Sequence, residues 1–254
     1  MTTQVLYSRP ETTALPQTPA VSVVVPTFRE AANIPELVER IERAAPNAEI
    51  IIVDDNSNDG TETVVDALGR ASVRLIVRKT ERGLSSAVIA GCKAARGPIT
   101  VVMDADLSHP PEAIPDMLAQ FERGADFVLG SRYIEGGTTD SEWTFFRRIN
   151  SLSATLMARP LTSLSDPMSG FFAMRSADFR ATRDLNPIGY KIALEMLVKG
   201  PFRAPREVPI HFADRKRGES KLSLKEQARY IRHLLRLYRF KFLGSGKGSG
   251  TPSA

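Results

Sequence analysis

Ile99-Thr100-Val101-Val102-Met103-Asp104-Ala105-Asp106-Leu107-Ser108-His109-Pro110 is the stretch on which the fold turns. Its first five residues are apolar or β-branched, the pattern of a buried strand. Two aspartates follow one residue apart. Pro110-Pro111 then stop the strand and suit the first turn of a helix. Two carboxylates therefore sit on a tight loop at the carboxyl end of a central strand. In open α/β sheets ligands bind at that edge. A pair of carboxylates there suits a hard divalent cation, which in turn grips a diphosphate. A solvated acidic turn is the competing reading, and the remainder of the chain has to decide between them.

Upstream, Val21-Ser22-Val23-Val24-Val25 reads as a buried strand and Pro26-Thr27-Phe28-Arg29-Glu30 as the loop after it. Asn33 can cap a helix to about Ala44, with Glu36 as its capping-box partner. Glu49 to Val53 forms the second strand and ends in Asp54-Asp55-Asn56-Ser57-Asn58-Asp59-Gly60, dense in capping and turn residues. Helix to Leu68, strand over 73–77 and helix over 83–95 lead to the opening stretch. Downstream, a helix over 112–123 and a strand over 126–130 continue the alternation. Strands separated by 10- to 15-residue helical patterns imply βαβ crossovers and a mostly parallel sheet in an α/β fold. No G-x-G-x-x-G follows the first strand and no G-x-x-x-x-G-K-[ST] occurs, so neither common nucleotide-binding fingerprint is present.

Beyond Arg132 the alternation ends. Residues 141–158 are helical in pattern, Asp166 to Gly170 form a loop, 171–175 a strand and 192–199 a short helix. Glu207 to Phe212 reads as a strand whose Pro209 suggests an edge. Arg215 to Lys221 is a basic loop.

The 254 residues suffice for one large domain or two small ones. The lone Cys92, in an apolar run, reads as a core thiol and leaves no internal disulfide. The amino terminus lacks the apolar region of a secretory signal, and no run approaches the roughly 20 apolar residues of a membrane span. Residues 221–242 hold seven Lys or Arg against one Glu, more than the whole-chain net charge of +5. The basicity belongs to one segment, which argues against a nucleic-acid binder with a basic folded face.

Seven segments carry a resemblance: Val25-Pro-Thr-Phe-Arg-Glu30, Val53-Asp-Asp-Asn-Ser-x-Asp-Gly60, Met103 to Pro110, Gly130-Ser-Arg-Tyr133, Asp166-Pro-Met-Ser-Gly-Phe-Phe172, Gly189-Tyr-Lys191 and Arg215-x-x-Gly-x-Ser-Lys-Leu222. In this order they resemble an inverting family 2 glycosyltransferase of the GT-A (nucleotide-diphospho-sugar transferase) fold. Within that family they most resemble dolichol-phosphate (polyprenol-phosphate) mannosyltransferases. The resemblance spans about 21–242. It favours the metal reading of Asp104 and Asp106.

The resemblance implies roles. Pro26, Phe28 and Glu30 would line the nucleotide pocket, and Val53 and Asp55 would continue it, Asp55 toward the base. Asp59, directly before Gly60, fits the helix cap better than Asp55 does. Asp104, Ala105 and Asp106 would meet the donor. Mg2+ or Mn2+ would rest on Asp104 and Asp106, with Ser108 or water as a third contact. His109 neighbours the site without being the expected kind of ligand. Arg132 and Arg147 would reach phosphate; Arg148 is indistinguishable from Arg147 by spacing. Lys191 would lie near the diphosphate, although Lys191 and Glu195 at i,i+4 also read as a surface pair. Arg215 and Lys221 would close over the phosphates. Asp166 would hold a sugar hydroxyl or order its loop.

The implied reaction is transfer of mannose from GDP-mannose to a polyprenyl (dolichyl) monophosphate, with inversion. Two alternatives stay open: glucosyl or aminosugar transfer from a UDP-sugar to polyprenyl phosphate, and a non-catalytic nucleotide-sugar-binding protein. Leu224, Ala228, Ile231, Leu235, Tyr238 and Phe242 recur at helical spacing, with Lys225, Arg229, Arg232, Arg236 and Arg239 one residue later. That places a basic stripe about 100° round from the apolar one, as in an interfacial helix. A helix packed on the core, or docked to a small membrane-spanning partner subunit, gives the same pattern. The organisation expected is a disordered arm over 1–20, a catalytic domain over 21–220, a basic amphipathic helix over 221–242 and a flexible tail over 243–254. The expected location is cytoplasmic, peripheral on the cytosolic face of a membrane.

Overall fold

The computed structural model describes residues 5–6, 19–140, 153–186, 188–189, 191–213 and 224–244. Its strands are β1 (Val5–Leu6), β2 (Val21–Thr27), β3 (Ala48–Asp54), β4 (Val73–Val77), β5 (Ile99–Val102), β6 (Phe127–Ser131), β7 (Thr138–Thr139), β8 (Phe172–Arg175), β9 (Pro205–Pro209) and β10 (His211–Phe212). Its helices are α1 (Ile34–Ala44), α2 (Thr61–Leu68), α3 (Leu84–Ala94), α4 (Ile114–Glu122), α5 (153–158), α6 (Ser176–Ala181), α7 (Ile192–Lys199) and α8 (Leu224–Tyr238). The last continues in wider turns to Leu243.

Eight strands form one sheet in the order β1-β4-β3-β2-β5-β8-β6-β9, and β7 pairs with β10 apart from it. The apolar runs of β2 and β3 are buried on both faces because helices cover both. Val23, Val25, Ile50 and Ile52 face one core with Ile34, Leu37 and Ile41 of α1 and Ile114 and Met117 of α4. Val24, Ile51 and Val53 face the other, with Val88 and Cys92 of α3 and Ile192 and Met196 of α7. The two-residue period of a strand thus splits each run between two cores. Each fully buried Val or Ile contributes about 1.5–3 kcal/mol. Cys92 lies in the second core as expected, and burial pushes its thiol far above the ordinary range.

The parallel pairs β4-β3-β2-β5 follow from the crossovers. The position of β8 does not. It enters antiparallel between β5 and β6, pairing Val102 with Phe172 on one side and Leu129 with Phe172 on the other. Its amino end therefore meets the carboxyl ends of β5 and β6. That register carries the loop before it, Asp166 to Gly170, to the end of β5.

Three expectations change. The segment 207–212 is two strands: β9 lies at the sheet edge, as Pro209 suggested, and β10 leaves to join β7. Within 1–20, Val5–Leu6 adds an antiparallel pair to the open edge of β4, whose unpaired backbone groups would otherwise face water. Asn33 makes no helix cap; its side chain donates to Glu30 at 2.6 Å, and a tight turn over Ala31–Asn33 leads into α1. Of the helix expected over 141–158, only 153–158 is described. The remaining arm, 141–152, 214–223 and the tail from 245 lie outside the described residues.

The face of α8 that meets the core is not most of the stripe read from the sequence, so packing of that whole stripe on the core, one of the alternatives, is not what is seen. Leu234 and Leu237 pack with Ala158, Leu161, Met168 and Leu194, while Ile231 and Leu235 are 50% and 60% exposed. Tyr230 and Tyr238 donate to the carbonyls of Ala154 and Met157, and Lys241 donates to those of Pro160 and Leu161. The terminal carbonyls of α5 are thereby satisfied by α8 and its extension. Among the described residues no helix is long and apolar enough to cross a membrane.

Gly91 sets the distance of α3 from the sheet. A Cβ there would fall 2.3 Å from Val24 Cγ1 and 3.1 Å from Val53 Cγ2. Gly91→Ala is expected to cost about 1–3 kcal/mol by overpacking, a fall in Tm of roughly 3–9 °C in a thermal melt.

Candidate active site

The loop after β5 is built to present its carboxylates. The N–H of Asp104 donates to His109 Nδ1 at 3.0 Å, which puts the proton of the neutral ring on Nε2. His109 is buried, stacked on Phe171 and edge-on to Phe212. Burial holds its pKa below the ordinary histidine value, against the pull of Asp104 and Asp106. Asp106 Oδ1 accepts the N–H of Ser108 at 3.1 Å and its hydroxyl at 2.5 Å. Leu107 between them takes a positive φ of 63°, a conformation that costs a leucine about 1–2 kcal/mol and is held by the bonds either side. Ser108 is buried behind Asp106, and its hydroxyl hydrogen goes to that carboxylate. Ala105 and Leu107 point down into the core.

The Asp104 side chain is partly accessible, 27% exposed. A Cβ on Gly170 would come 3.4 Å from Asp104 Oδ2 and 3.3 Å from His109 Cε1, so the Gly170 backbone lies directly beside this carboxylate. The donor set fits a hard divalent cation: two carboxylates at a strand end, one partly exposed and one oriented by its own turn. Among the described residues no group of three or more His, Cys, Asp or Glu side chains forms a fuller cage. A cation here would need oxygen atoms from ligand or water to complete its shell.

The expected nucleotide side lies at the ends of β2 and β3, where Pro26 pairs with Val53 and Thr27 with Asp54. Pro26 and Val53 are buried, so their side chains support this region from below and do not line its surface. Phe28 is half-buried, with the guanidiniums of Arg29 and Arg82 at 5.2 and 5.7 Å from its ring centre. Glu30 holds Asn33. Asp55 is more occupied than expected: Oδ1 accepts from Arg78 Nε at 2.7 Å and Oδ2 from the N–H of Gly83 at 2.6 Å. Asp59 accepts from the N–H and hydroxyl of Thr61 and from the N–H of Ala31, so from one position before the cap residue Gly60 it holds the first residue of α2 and ties it to the preceding loop. Asp54 grips Ser57, whose hydroxyl accepts from the N–H of Arg29.

The third side comes from β6 and β8. Arg132 donates from Nε and Nη2 to the two oxygens of Asp166, each at 2.7 Å, and from its backbone N–H to Oδ2 at 3.1 Å. The Asp166 side chain is 0% exposed and that of Arg132 9%. Burial works against the guanidinium charge, but the bonds and charge of Asp166 outweigh it and raise the Arg132 pKa. Asp166 thus orders its loop, and Arg132 is committed to it. Glu207 accepts the N–H groups of Ser165 and Asp166.

Lys191 does not make the surface pair its spacing suggested. Glu195 takes Lys199 instead, at 2.5 Å. The Lys191 ammonium is buried and donates to the carbonyl of Met168 at 2.8 Å. Burial, then Arg132, pull its pKa down to about 7, while Asp166 and Asp104 act the other way. Asp104, Asp106, Ser108, Arg132, Asp166 and Lys191 are therefore one cluster. Arg147, Arg215 and Lys221 lie outside the described residues. The chain does enter the basic loop from Ala213, whose N–H donates to the carbonyl of Ser108 at 3.2 Å. Sequence reasoning passed over Arg78, Glu207, Gly170 and the Met168 carbonyl. The neighbouring Asp-Pro-Met-Ser-Gly motif was a signal for the last two; nothing local marked the others.

The lowered Lys191 pKa gives a signed prediction. Above pH 7 the free protein holds this amine neutral, whereas a diphosphate beside it would favour the ammonium. Nucleoside diphosphate binding near pH 8 is expected to take up a proton. Calorimetry in buffers of different ionisation enthalpy would read it, and Lys191→Met would abolish it.

The profile of Glycosyl transferase family 2 matches residues 22–182. The chain is 48% identical over 238 residues to a dolichol-phosphate mannosyltransferase of Mycosarcoma maydis, covering 89% of this chain and 81% of that one. It is 47% identical over 235 residues to the dolichol-phosphate mannosyltransferase of Saccharomyces cerevisiae, covering 87% and 88%. Among solved structures it resembles glucosyl-3-phosphoglycerate synthase from Mycobacterium tuberculosis, determined with Mn2+, UDP and glucosyl-3-phosphoglycerate. The TM-score is 0.64 at 21% identity, over 95% of this chain and 88% of that one. That likeness supports the GT-A fold, and the matched profile and relatives place the chain in glycosyltransferase family 2.

Proposed function

We propose that the protein transfers mannose from GDP-mannose to a membrane polyprenyl (dolichyl) monophosphate, with inversion, giving a polyprenyl β-mannosyl phosphate. The observation that carries this reading is the meeting of the partly exposed Asp104 carboxylate and the buried Lys191 ammonium at the carboxyl ends of the strands. Dolichol-phosphate mannosyltransferases at near half identity supply the substrate class.

The acceptor explains why a general base is not required. A phosphate monoester has a second pKa near 6, so it is largely dianionic at pH 7 and already nucleophilic. Asp166, the carboxylate best placed to serve a hydroxyl acceptor, has both oxygens on Arg132. A phosphate oxygen attacks C1 of the mannosyl group from the side opposite the diphosphate. The bond from C1 to the diphosphate oxygen breaks, and GDP leaves.

The main demand is charge on that leaving group. Lys191 offers an ammonium from the buried side. Arg215, in the basic loop that follows Ala213 in sequence, is assigned to the same diphosphate. Arg147 and Lys221 are assigned to the phosphates with it. Phe28 and Asp55 are assigned to the base and ribose, with Glu30 at the pocket's rim. Asp104 and Asp106 would hold Mg2+ or Mn2+, with Ser108 orienting Asp106. When bound, such a cation supplies further neutralisation of the diphosphate. Preorganised charge of this kind is usually the largest catalytic contribution.

A polyprenyl acceptor requires a membrane, and we assign its contact to residues 222–242. Ile231, Leu235 and Phe242 are exposed on α8 and its extension, and Arg232, Arg236 and Arg239 stand beside them. Apolar side chains flanked by arginines suit an anionic lipid surface. The enzyme is then peripheral, on the cytosolic face.

Radiolabelled mannose from GDP-mannose should enter an organic-extractable lipid when polyprenyl phosphate and Mg2+ or Mn2+ are supplied. Asp106→Ala should lower kcat by about 10²–10³. Near-normal transfer by that variant would remove the metal assignment, and better use of a UDP-sugar would remove the donor. Co-sedimentation with vesicles containing anionic lipid should fall for Ile231→Asp combined with Leu235→Asp. Unchanged sedimentation would remove this surface as the lipid contact.

A further inference from the structure

Among the buried titratable groups, His233 on α8 is one that the reaction leaves unused. It is 1% exposed. Its Nδ1 accepts the N–H of Ile188 at 3.4 Å, a long bond from helix to loop. Burial keeps its pKa below the ordinary histidine value, against Glu195 and the backbone of Lys191. The neutral ring can therefore accept at Nδ1.

Ile188 lies three residues before Lys191 in the chain. That connection is tethered at three points. The N–H of Asn186 donates to Glu195 at 2.8 Å, that of Ile188 to His233, and the carbonyl of Gly189 accepts from Ser85 at 2.8 Å. The neighbours of His233 brace the same cluster. Leu234 and Leu237 pack on Met168, whose carbonyl holds the Lys191 ammonium, and on Leu194 in the first turn after Lys191. Two residues along a helix are about 200° apart, so His233 points inward from between the exposed Ile231 and Leu235. One segment of α8 thus presents apolar side chains outward and grips the lysine-bearing turn inward.

We propose that His233 is a positioning residue: it fixes the turn from Ile188 to Lys191 so that the Lys191 ammonium is presented to the donor diphosphate, and it thereby links the seating of the carboxyl-terminal helix to the grip on the donor. This rests on the reading of Lys191 as a diphosphate contact. A loop donor left unpaired in a buried place is costly, so loss of the imidazole would release the turn.

The test is a double-mutant cycle on the full chain, with GDP and Mg2+ as the probe and calorimetric affinity and Tm as readouts. His233→Ala should weaken GDP binding roughly tenfold. His233→Gln, which offers an acceptor oxygen, should recover most of it. The double variant His233→Ala with Lys191→Met should bind no more weakly than Lys191→Met alone, because both act through one ammonium. If His233→Ala does not fold, His233→Leu keeps the volume without the acceptor and carries the same expectations. A lowered Tm with unchanged GDP affinity, or losses that multiply in the double variant, would reduce His233 to a structural residue. Normal GDP binding by Lys191→Met would instead overturn the Lys191 reading and this inference with it.

Discussion

The buried pair of Arg132 and Asp166 is the interaction on which the candidate site depends. Three hydrogen bonds join an arginine at the end of β6 to an aspartate that water does not reach. Such a pair contributes little net stability over an apolar substitute. Removing one partner, however, typically costs about 3–5 kcal/mol, because the other charge is left buried alone. Its value here is positional. It pins the loop whose Met168 carbonyl holds Lys191 and whose Gly170 passes close to Asp104.

The rest of the cluster follows from the topology of the sheet. The parallel strands bring loops bearing Asp55 and Asp104 to one edge, and β8 adds a loop from the opposite direction. Several of these loops hold residues in the left-handed region: Arg29, Asn56, Asn58 and Leu107. Short side-chain bonds hold them there, such as Asp54 to Ser57 and Ser108 to Asp106. Strain of this kind collects where a rigid scaffold has to present groups at fixed positions. The charges are also arranged in opposition. A lysine held near neutrality by burial stands beside carboxylates that favour its charged form, so an incoming anion would tip the balance.

The carboxyl-terminal helix serves the core with one side and solvent with another. Its inward residues are Tyr230, His233, Leu234 and Leu237, and its outward apolar residues are Ile231, Leu235 and, in the following turns, Phe242. A helix with a single apolar stripe can either pack or remain exposed. This one has enough apolar surface for both, and its hydrogen bonds to α5 are what choose the inward side.

The sequence by itself determined the α/β class, most of the elements and the place of the two aspartates, since strand and helix periods and proline stops are local properties. It also made the family legible through seven short motifs. The side-chain partners were not legible. Asp55 with Arg78, Arg132 with Asp166 and Lys191 with the Met168 carbonyl join residues 23 to 34 positions apart in the chain, and no local pattern encodes such pairings. Nor did periodicity show which side of α8 is buried, because both sides carry apolar residues. Only the tertiary structure decided these points. Inserting β8 against the direction of its neighbours is a choice among sheet registers, made by the packing of the whole core, and it turns a loop 62 to 66 residues downstream into the wall beside Asp104.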